Sequence, residues 1–258
     1  MLQLPVVPGY ETVGRVVEVG ANVASALQGQ WVYVGGAMGY EGVNAAWGGQ
    51  AATIVTPAQR VIPLNSVSAQ QGVLLALAAT ALHGVDVLHP AQDSRVLVIG
   101  QGPVGQLAAR LVTQRGGWVA VSDLNTERLS RSAADVVINV GETELNQAIT
   151  EPVDAIIEAS GSMQALSSAL PLLANGGTVL LLGYYQKLDL PYMPLFLKEA
   201  KLLTAKEWGP NDLTRCRDMI ADGSLNVAPL LTHTHSVEDI AGAYEIAMNE
   251  PSCLKLVL

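Results

Sequence analysis

The chain has 258 residues, of which 50% are hydrophobic and 14% charged, enough for one large domain or two modest domains with a sizeable core. The formal net charge of −9 argues against nucleic acid as a partner, because phosphate binding requires clustered lysines and arginines. Cys216 and Cys253 fit neither a metal-binding spacing nor a disulfide framework, so a reducing, cytoplasmic location is expected. The N-terminus lacks a signal-peptide pattern, and no apolar run is long enough for a transmembrane segment.

The N-terminal part of the chain has the pattern of a β-rich domain. Short apolar stretches are separated by glycine and proline, which mark turns between strands. The predicted strands are residues 14–20, 31–34, 50–56 and 60–63. Short strands with this punctuation favour a partly open β-barrel.

A different pattern begins at Ser68, a good N-cap residue, which precedes a predicted helix over residues 69–85. Apolar strands then alternate with helices, as in βαβ units whose parallel strands are covered on both faces. The predicted strands are residues 95–99, 118–122, 136–139, 155–159, 178–182 and 201–205. The predicted helices between them are residues 104–115, 125–132, 143–149, 163–173 and 194–199. In the tail, residues 212–222 and 237–248 predict helices, and residues 255–258 predict a closing strand.

The first of these strands runs directly into a G-x-G-x-x-G motif. Gly100 and Gly102 would allow a tight turn and a close approach of the backbone to a pyrophosphate. Gly105 would let the following helix pack against the strand. That helix, with Pro103 and Val104 in its first turn, would direct unpaired N–H groups toward the phosphates. The motif therefore predicts a dinucleotide-binding site.

Asp123 ends the next predicted strand, about twenty residues beyond the glycines, where a carboxylate can accept both ribose hydroxyls of NAD. The same charge would repel the 2′-phosphate of NADP, so NAD is the predicted cofactor. Further candidates follow the ends of later strands, where small residues would allow the nicotinamide to approach. They are Ser160, Gly161, Gly183 and Tyr184.

Five short motifs resemble those of the medium-chain dehydrogenase/reductase family. Residues 8–14 (P-G-Y-E-T-V-G) look like the family's G-H-E-x-x-G segment, and residues 29–32 look like its G-D-x-V turn. Residues 48–52 look like its G-G-x-A-E strand start. Residues 157–161 and 176–180 are similar to its later cofactor-side loops. The resemblance covers nearly the whole chain.

This resemblance implies an α/β fold with two domains. One is a Rossmann domain with a doubly wound parallel sheet, over residues 76–209, that binds NAD. The other is a GroES-like, partly open β-barrel that carries the catalytic residues, over residues 1–75 and 210–258. The resemblance also implies that Thr80 lies on the cofactor side and that Arg128 lies near the adenosine ribose, although a solvated helix residue explains Arg128 equally well.

Several stretches look like the bacteriochlorophyllide dehydrogenases within this family. They are residues 4–11, 55–58, 74–81, 196–200 and 207–208. This likeness implies NAD-dependent oxidation of a secondary alcohol to a ketone, on the hydroxyethyl group of a small-molecule chlorin or bacteriochlorin pigment precursor. Aromatic residues near predicted loops, Tyr40 and Trp47 among them, would offer a rim to a flat macrocycle, although ordinary packing explains them equally well.

The chain departs from the zinc-dependent members of the family at two ligand positions. Tyr10 stands where they carry histidine, and Ala76 stands where they carry cysteine. A phenol and a methyl group do not replace imidazole and thiolate, so no catalytic metal is expected. Tyr10 would then hydrogen-bond the substrate oxygen, and Glu11 would relay a proton. Alternatively, Tyr10 fills the vacated metal site, and Glu11 is a structural hydrogen-bonding residue.

A second departure concerns the N-terminus. Family members carry additional residues before Pro8, so we expect a GroES-like domain that is incomplete at its N-terminus and leaves an exposed, aggregation-prone strand edge. Two other functions therefore stay open at this point. One is a zinc-free NAD(P)H reductase of enones or quinones, and the other is a cofactor-binding protein without catalysis. The family resemblance also implies a homodimer.

Overall fold

The structure is a computed structural model that describes residues 4–258. The β-strands of these residues, in chain order, are β1 (Val6–Val7), β2 (Thr12–Arg15), β3 (Trp31–Val34), β4 (Asn44–Ala45), β5 (Val61–Pro63), β6 (Arg95–Ile99), β7 (Trp118–Asp123), β8 (Val136–Asn139), β9 (Val153–Glu158), β10 (Leu173–Leu181), β11 (Lys201–Thr204), β12 (His233–Thr234) and β13 (Leu256–Val257). The α-helices are α1 (Ala69–Gly72), α2 (Leu75–Leu88), α3 (Pro103–Gln114), α4 (Thr126–Leu129), α5 (Leu145–Ala148), α6 (Met163–Ala169), α7 (Tyr192–Leu197), α8 (Asp212–Ala221) and α9 (Ile240–Asn249). No helix among residues 4–258 has the length and apolar character to cross a membrane.

The chain divides into two compact units. Unit 1 runs up to Ala79 and includes Pro210–Val227, whereas unit 2 comprises Thr80–Gly209 and Ala228–Leu258. The sequence analysis assigns residues 228–258 to the GroES-like domain, whereas in the structure these residues are part of unit 2. Hydrogen bonds explain the difference, since the Asn125 side chain donates to the Pro251 carbonyl at 2.8 Å and ties the tail to unit 2.

Unit 1 is built around a small antiparallel sheet in the order β2-β3-β5. Gly14 faces Val32 and Tyr33 faces Ile62 in its register, and the Tyr33 side chain is fully buried. A separate parallel pair joins β1 to β4. The sheet confirms the β-rich character that the N-terminal sequence predicts.

Three sequence predictions for unit 1 are wrong in detail. The strand predicted over residues 14–20 is β2, which lies at Thr12–Arg15 because its pairing with β3 ends at Arg15 and Trp31. The strand predicted over residues 50–56 is absent from the described structure, apart from an isolated bridge between Met38 and Val55, because residues 51–53 are exposed without a neighbouring strand. The helix predicted over residues 69–85 is interrupted between α1 and α2. Ser68 caps α1 as predicted, since its hydroxyl accepts the Gln71 N–H at 3.2 Å.

Unit 2 contains a six-stranded parallel sheet in the order β8-β7-β6-β9-β10-β11. The chain starts at the centre with β6, moves out through β7 and β8, and then returns to β9 on the other side. This reversal is the doubly wound arrangement, in which ligands bind beyond the carboxyl ends of the strands where the order switches. The central strands are almost wholly buried apolar runs, as the sequence predicts.

Candidate active site

The glycine-rich turn follows β6 at the switch point of the sheet. Gly100 has a φ of +88°, and a Cβ built on it would lie 2.7 Å from both N and Cα of Ser160. A Cβ on Gly105 would meet the carbonyl oxygen of Gly100 at 1.9 Å. Both positions therefore require glycine for the packing of this turn against its neighbours.

Gly102 lies in a different environment. It is the N-cap residue of α3, with Pro103 and Val104 in the first turn, and it supplies no side-chain cap. A Cβ on Gly102 would meet nothing within 4 Å, so the backbone there borders open space. Exposed N–H groups at the start of a helix attract an anion through hydrogen bonds and the helix dipole.

Asp123 closes β7 and holds the turn in place. One carboxylate oxygen accepts the Gln101 N–H at 2.6 Å, and the other accepts the Asn125 N–H at 2.9 Å. Each carboxylate oxygen has a second lone pair, so the group can still accept hydroxyls of a ribose. Asp123 therefore keeps acceptor capacity at the carboxyl end of β7, beside the glycine-rich turn.

Two buried glutamines connect the turn to the segment around Arg128. Gln106 donates to the Arg128 carbonyl at 2.7 Å, and Ser132 donates to the Gln101 side-chain oxygen at 2.9 Å. Both glutamines are fully buried. Sequence reasoning missed these glutamines, although a polar residue within the apolar stretch of α3 was an available signal. The Arg128 Nε is also buried and has no hydrogen-bond partner among the described residues.

A buried carboxylate organises the loop after β9. Glu158 is fully buried and accepts the N–H groups of Ser160 at 2.8 Å and Gly161 at 3.1 Å, together with the Ser160 hydroxyl. A Cβ on Gly183 would lie 2.6 Å from the Glu158 carboxylate, so this loop and the one after β10 are in close contact. Sequence reasoning named Ser160, Gly161 and Gly183 but missed Glu158, which ends an otherwise apolar strand.

The remaining cofactor candidates are less tightly placed. Tyr184 follows Gly183 and is 88% exposed, so it has little packing to fix its ring. Thr80 lies in the second turn of α2 and is partly buried. The neighbouring Tyr185 hydroxyl is buried without a partner among the described residues.

A nicotinamide adenine dinucleotide fits this set of residues. The backbone is open at Gly102, the Asp123 carboxylate has spare acceptor capacity, and the Arg128 Nε and Tyr185 hydroxyl are buried polar groups that lack partners. Gly102 and its helix would hold the pyrophosphate, and Asp123 the ribose.

The two catalytic candidates, Tyr10 and Glu11, lie in unit 1. The Tyr10 ring packs against Trp47 with centroids 5.3 Å apart, and its carbonyl accepts the Tyr33 hydroxyl at 2.9 Å. Burial, followed by the nearby Glu11 charge, raises the pKa of Tyr10 above its ordinary value of 10.0. The Tyr10 phenol is therefore a neutral hydrogen-bond donor at physiological pH.

The donor set in unit 1 does not fit a catalytic zinc ion. A phenol does not replace the imidazole that zinc prefers, and Ala76 offers only a fully buried methyl group. Among the described residues, no three histidine, cysteine or acidic side chains are grouped so as to hold a metal ion.

Comparisons with known proteins agree with this architecture. Residues 1–66 match the alcohol dehydrogenase GroES-like domain family, and residues 103–222 match the zinc-binding dehydrogenase family. Two relatives are 34% and 35% identical over 98% of the chain. The chain therefore belongs to the medium-chain dehydrogenase/reductase family. It is an oxidoreductase of the alcohol dehydrogenase type.

Both relatives carry the name 2-desacetyl-2-hydroxyethyl bacteriochlorophyllide A dehydrogenase. The protein from Cereibacter sphaeroides is 34% identical, and the match covers 80% of its length. The protein from Rhodobacter capsulatus is 35% identical, and the match covers 79% of its length. Among solved structures, a short chain alcohol dehydrogenase from Escherichia coli CFT073 complexed with NADH matches with a TM-score of 0.83 and 22% identity, over 98% of this chain and 83% of that one. That likeness establishes the shared fold.

Proposed function

We propose that this protein oxidises the hydroxyethyl substituent of a bacteriochlorophyllide to an acetyl group, with NAD as the hydride acceptor. The observation that carries the proposal is the identity of about one third, over nearly the whole chain, to two relatives named for this substrate. The turn at residues 100–105 and the Asp123 carboxylate support the choice of NAD. A homodimer and a cytoplasmic location stay predictions.

The reaction requires that a hydride and a proton leave the alcohol. A nicotinamide held by the turn at residues 100–105 would supply the hydride acceptor, while the protein would orient the carbinol carbon and remove the proton. In our proposal, the neutral Tyr10 hydroxyl donates a hydrogen bond to the substrate oxygen and orients it. Glu11 relays the hydroxyl proton to water as the carbon–oxygen double bond forms.

We also propose that this chemistry proceeds without a catalytic zinc ion. Tyr10 and Ala76 support the proposal, because neither offers a zinc ligand of the kind the zinc-dependent relatives use. In the absence of a metal, polarisation of the substrate oxygen falls to the Tyr10 hydroxyl.

The test is turnover by the purified protein with hydroxyethyl bacteriochlorophyllide and NAD. We expect NADH formation with an acetyl product, unchanged after dialysis against a chelator, and substoichiometric zinc by elemental analysis. Tyr10→Phe should slow turnover by about a hundredfold to a thousandfold, since removing one positioned donor to the reacting oxygen costs factors of this order. Turnover with simple enones alone, or none at all, would contradict the proposed substrate. Zinc-dependent turnover would contradict the metal-free chemistry.

Cofactor preference provides a further prediction. We expect the Kd for NAD to be at least about tenfold lower than that for NADP, because the Asp123 carboxylate accepts ribose hydroxyls and repels a 2′-phosphate. Asp123→Asn should raise the Kd for NAD and bring it closer to the Kd for NADP. Asp154→Asn is the matched control, since Asp154 also accepts a backbone N–H, that of Arg95 at 2.8 Å, at the start of β9. Tighter binding of NADP by the wild-type protein, measured by titration calorimetry, would contradict the prediction.

A further inference from the structure

Trp47 has a backbone conformation that its residue type rarely adopts. Its φ is +66°, in the left-handed region, which bulky residues seldom enter. The other described residues with positive φ, glycine aside, are mostly of types that tolerate it. They are Asn65, His89, Asp93, Glu199 and Asn211. Strained residues persist only where their surroundings fix them, and they concentrate at ligand-binding sites.

Hydrogen bonds hold the backbone at Trp47 and at the residue that follows it. The Ala37 N–H donates to the Trp47 carbonyl at 2.6 Å, and the Tyr40 hydroxyl donates to the next carbonyl, that of Gly48. A Cβ on Gly48 would lie 2.7 Å from the Tyr40 ring, so only glycine leaves room for that ring. The loop therefore holds the Trp47 side chain in a defined direction.

The indole ring of Trp47 is only partly covered. Its exposed fraction is 50%, and the Tyr10 ring packs against it with an interplanar angle of 48°. A large rigid aromatic ring with an accessible surface can bind a flat conjugated molecule with little loss of conformational freedom. In the proposed function, its neighbour Tyr10 donates a hydrogen bond to the oxygen of the alcohol that is oxidised.

We propose that Trp47 determines specificity by stacking on the conjugated macrocycle of the substrate, while Tyr10 contacts the hydroxyethyl substituent at the edge of the macrocycle. This inference rests on the proposed function, because it takes the pigment as the substrate. It assigns the recognition of the macrocycle, as distinct from the oxidised alcohol, to a particular side chain of unit 1.

The test compares Trp47→Gly and Trp47→Phe with the wild-type protein. Trp47→Gly removes the ring and suits a positive φ, so we expect the melting temperature to be unchanged or raised. The KM for the pigment should rise by about tenfold or more, with kcat within about twofold and NAD binding unchanged, as for loss of a uniform binding contact. Trp47→Phe keeps a ring and should retain most of the affinity. Trp31→Ala is the matched control, because Trp31 in β3 is 51% exposed, much like Trp47. The KM of this variant for the pigment should equal that of the wild-type protein.

Two outcomes would overturn the inference, and they are distinguishable from each other. If the wild type oxidises the pigment and Trp47→Gly has the same KM, the proposed function stands and the stacking role of Trp47 is wrong. If the wild type shows no turnover with the pigment, the proposed function fails and the stacking role fails with it. In the first of these cases, a lowered melting temperature of Trp47→Gly would identify Trp47 as a packing residue only.

Discussion

Gly102→Ala is expected to weaken NAD binding by at least about tenfold while the protein stays folded, whereas Gly105→Ala is expected to destabilise the protein itself. The two glycines belong to one motif, but their surroundings differ. A Cβ on Gly102 meets nothing within 4 Å, and a Cβ on Gly105 meets a backbone oxygen at 1.9 Å. The first side chain would occupy only the space into which a pyrophosphate must fit.

The expected cost of Gly105→Ala is about 3 kcal/mol or more in the free energy of unfolding, since overpacking against rigid backbone lies at the upper end of such effects. Gly102→Ala should cost less than about 1 kcal/mol, the range for substitutions at an N-cap without a capping side chain. Urea unfolding measures the free energies, and titration calorimetry with NAD measures the affinities. Equal stability losses in both variants, or full NAD affinity in Gly102→Ala, would contradict the roles assigned to these glycines.

Glu158→Ala is expected to lower the free energy of unfolding by about 2 to 3 kcal/mol, because it removes a buried side chain that accepts three hydrogen bonds. The Glu158 side chain is fully buried, and its carboxylate accepts from the N–H groups of Ser160 and Gly161 and from the Ser160 hydroxyl. Glu158→Gln should lose less, since its amide keeps the shape and one oxygen acceptor.

Glu127→Ala is the control for Glu158→Ala, because Glu127 is an exposed glutamate on α4 and its loss should change stability little. NAD affinity should also fall in Glu158→Ala, since the loop that packs on Gly100 loses its support. Chemical unfolding and calorimetry again provide the readouts. A Glu158→Ala protein as stable as Glu127→Ala would show that the buried carboxylate has no structural role.

The parts of the fold that sequence predicts well are those fixed by local patterns. The bounds of β6 and β8 agree with their predictions, because each is a short, largely apolar run between turn residues. The glycine turn after β6 and Asp123 at the end of β7 could be located because each follows a short apolar run, and their binding of a dinucleotide stays a prediction. β10 begins at Leu173, earlier than predicted, since pairing with β9 extends it through a register shift near its start.

The features that sequence reasoning missed depend on neighbours distant in the chain. The role of Glu158 follows from its burial and its contacts with the loops after β9 and β10, which no local pattern records. The strand expected over residues 50–56 failed for the related reason that strand formation depends on a partner. The φ of Trp47 is likewise set by hydrogen bonds from Ala37 and around Gly48.

The double hydrogen bonding of Asp123 has a consequence for how readily cofactor use can change. In the proposed function Asp123 selects NAD, and the same carboxylate accepts the backbone N–H groups of Gln101 and Asn125, at 2.6 and 2.9 Å. A substitution of Asp123 that admits a 2′-phosphate therefore also removes the acceptors that shape the glycine-rich turn at residues 100–105. A switch to NADP would need at least two coordinated changes, one to supply positive charge and one to restore an acceptor for these N–H groups. Evolution and engineering thus both face an intermediate that binds either dinucleotide poorly.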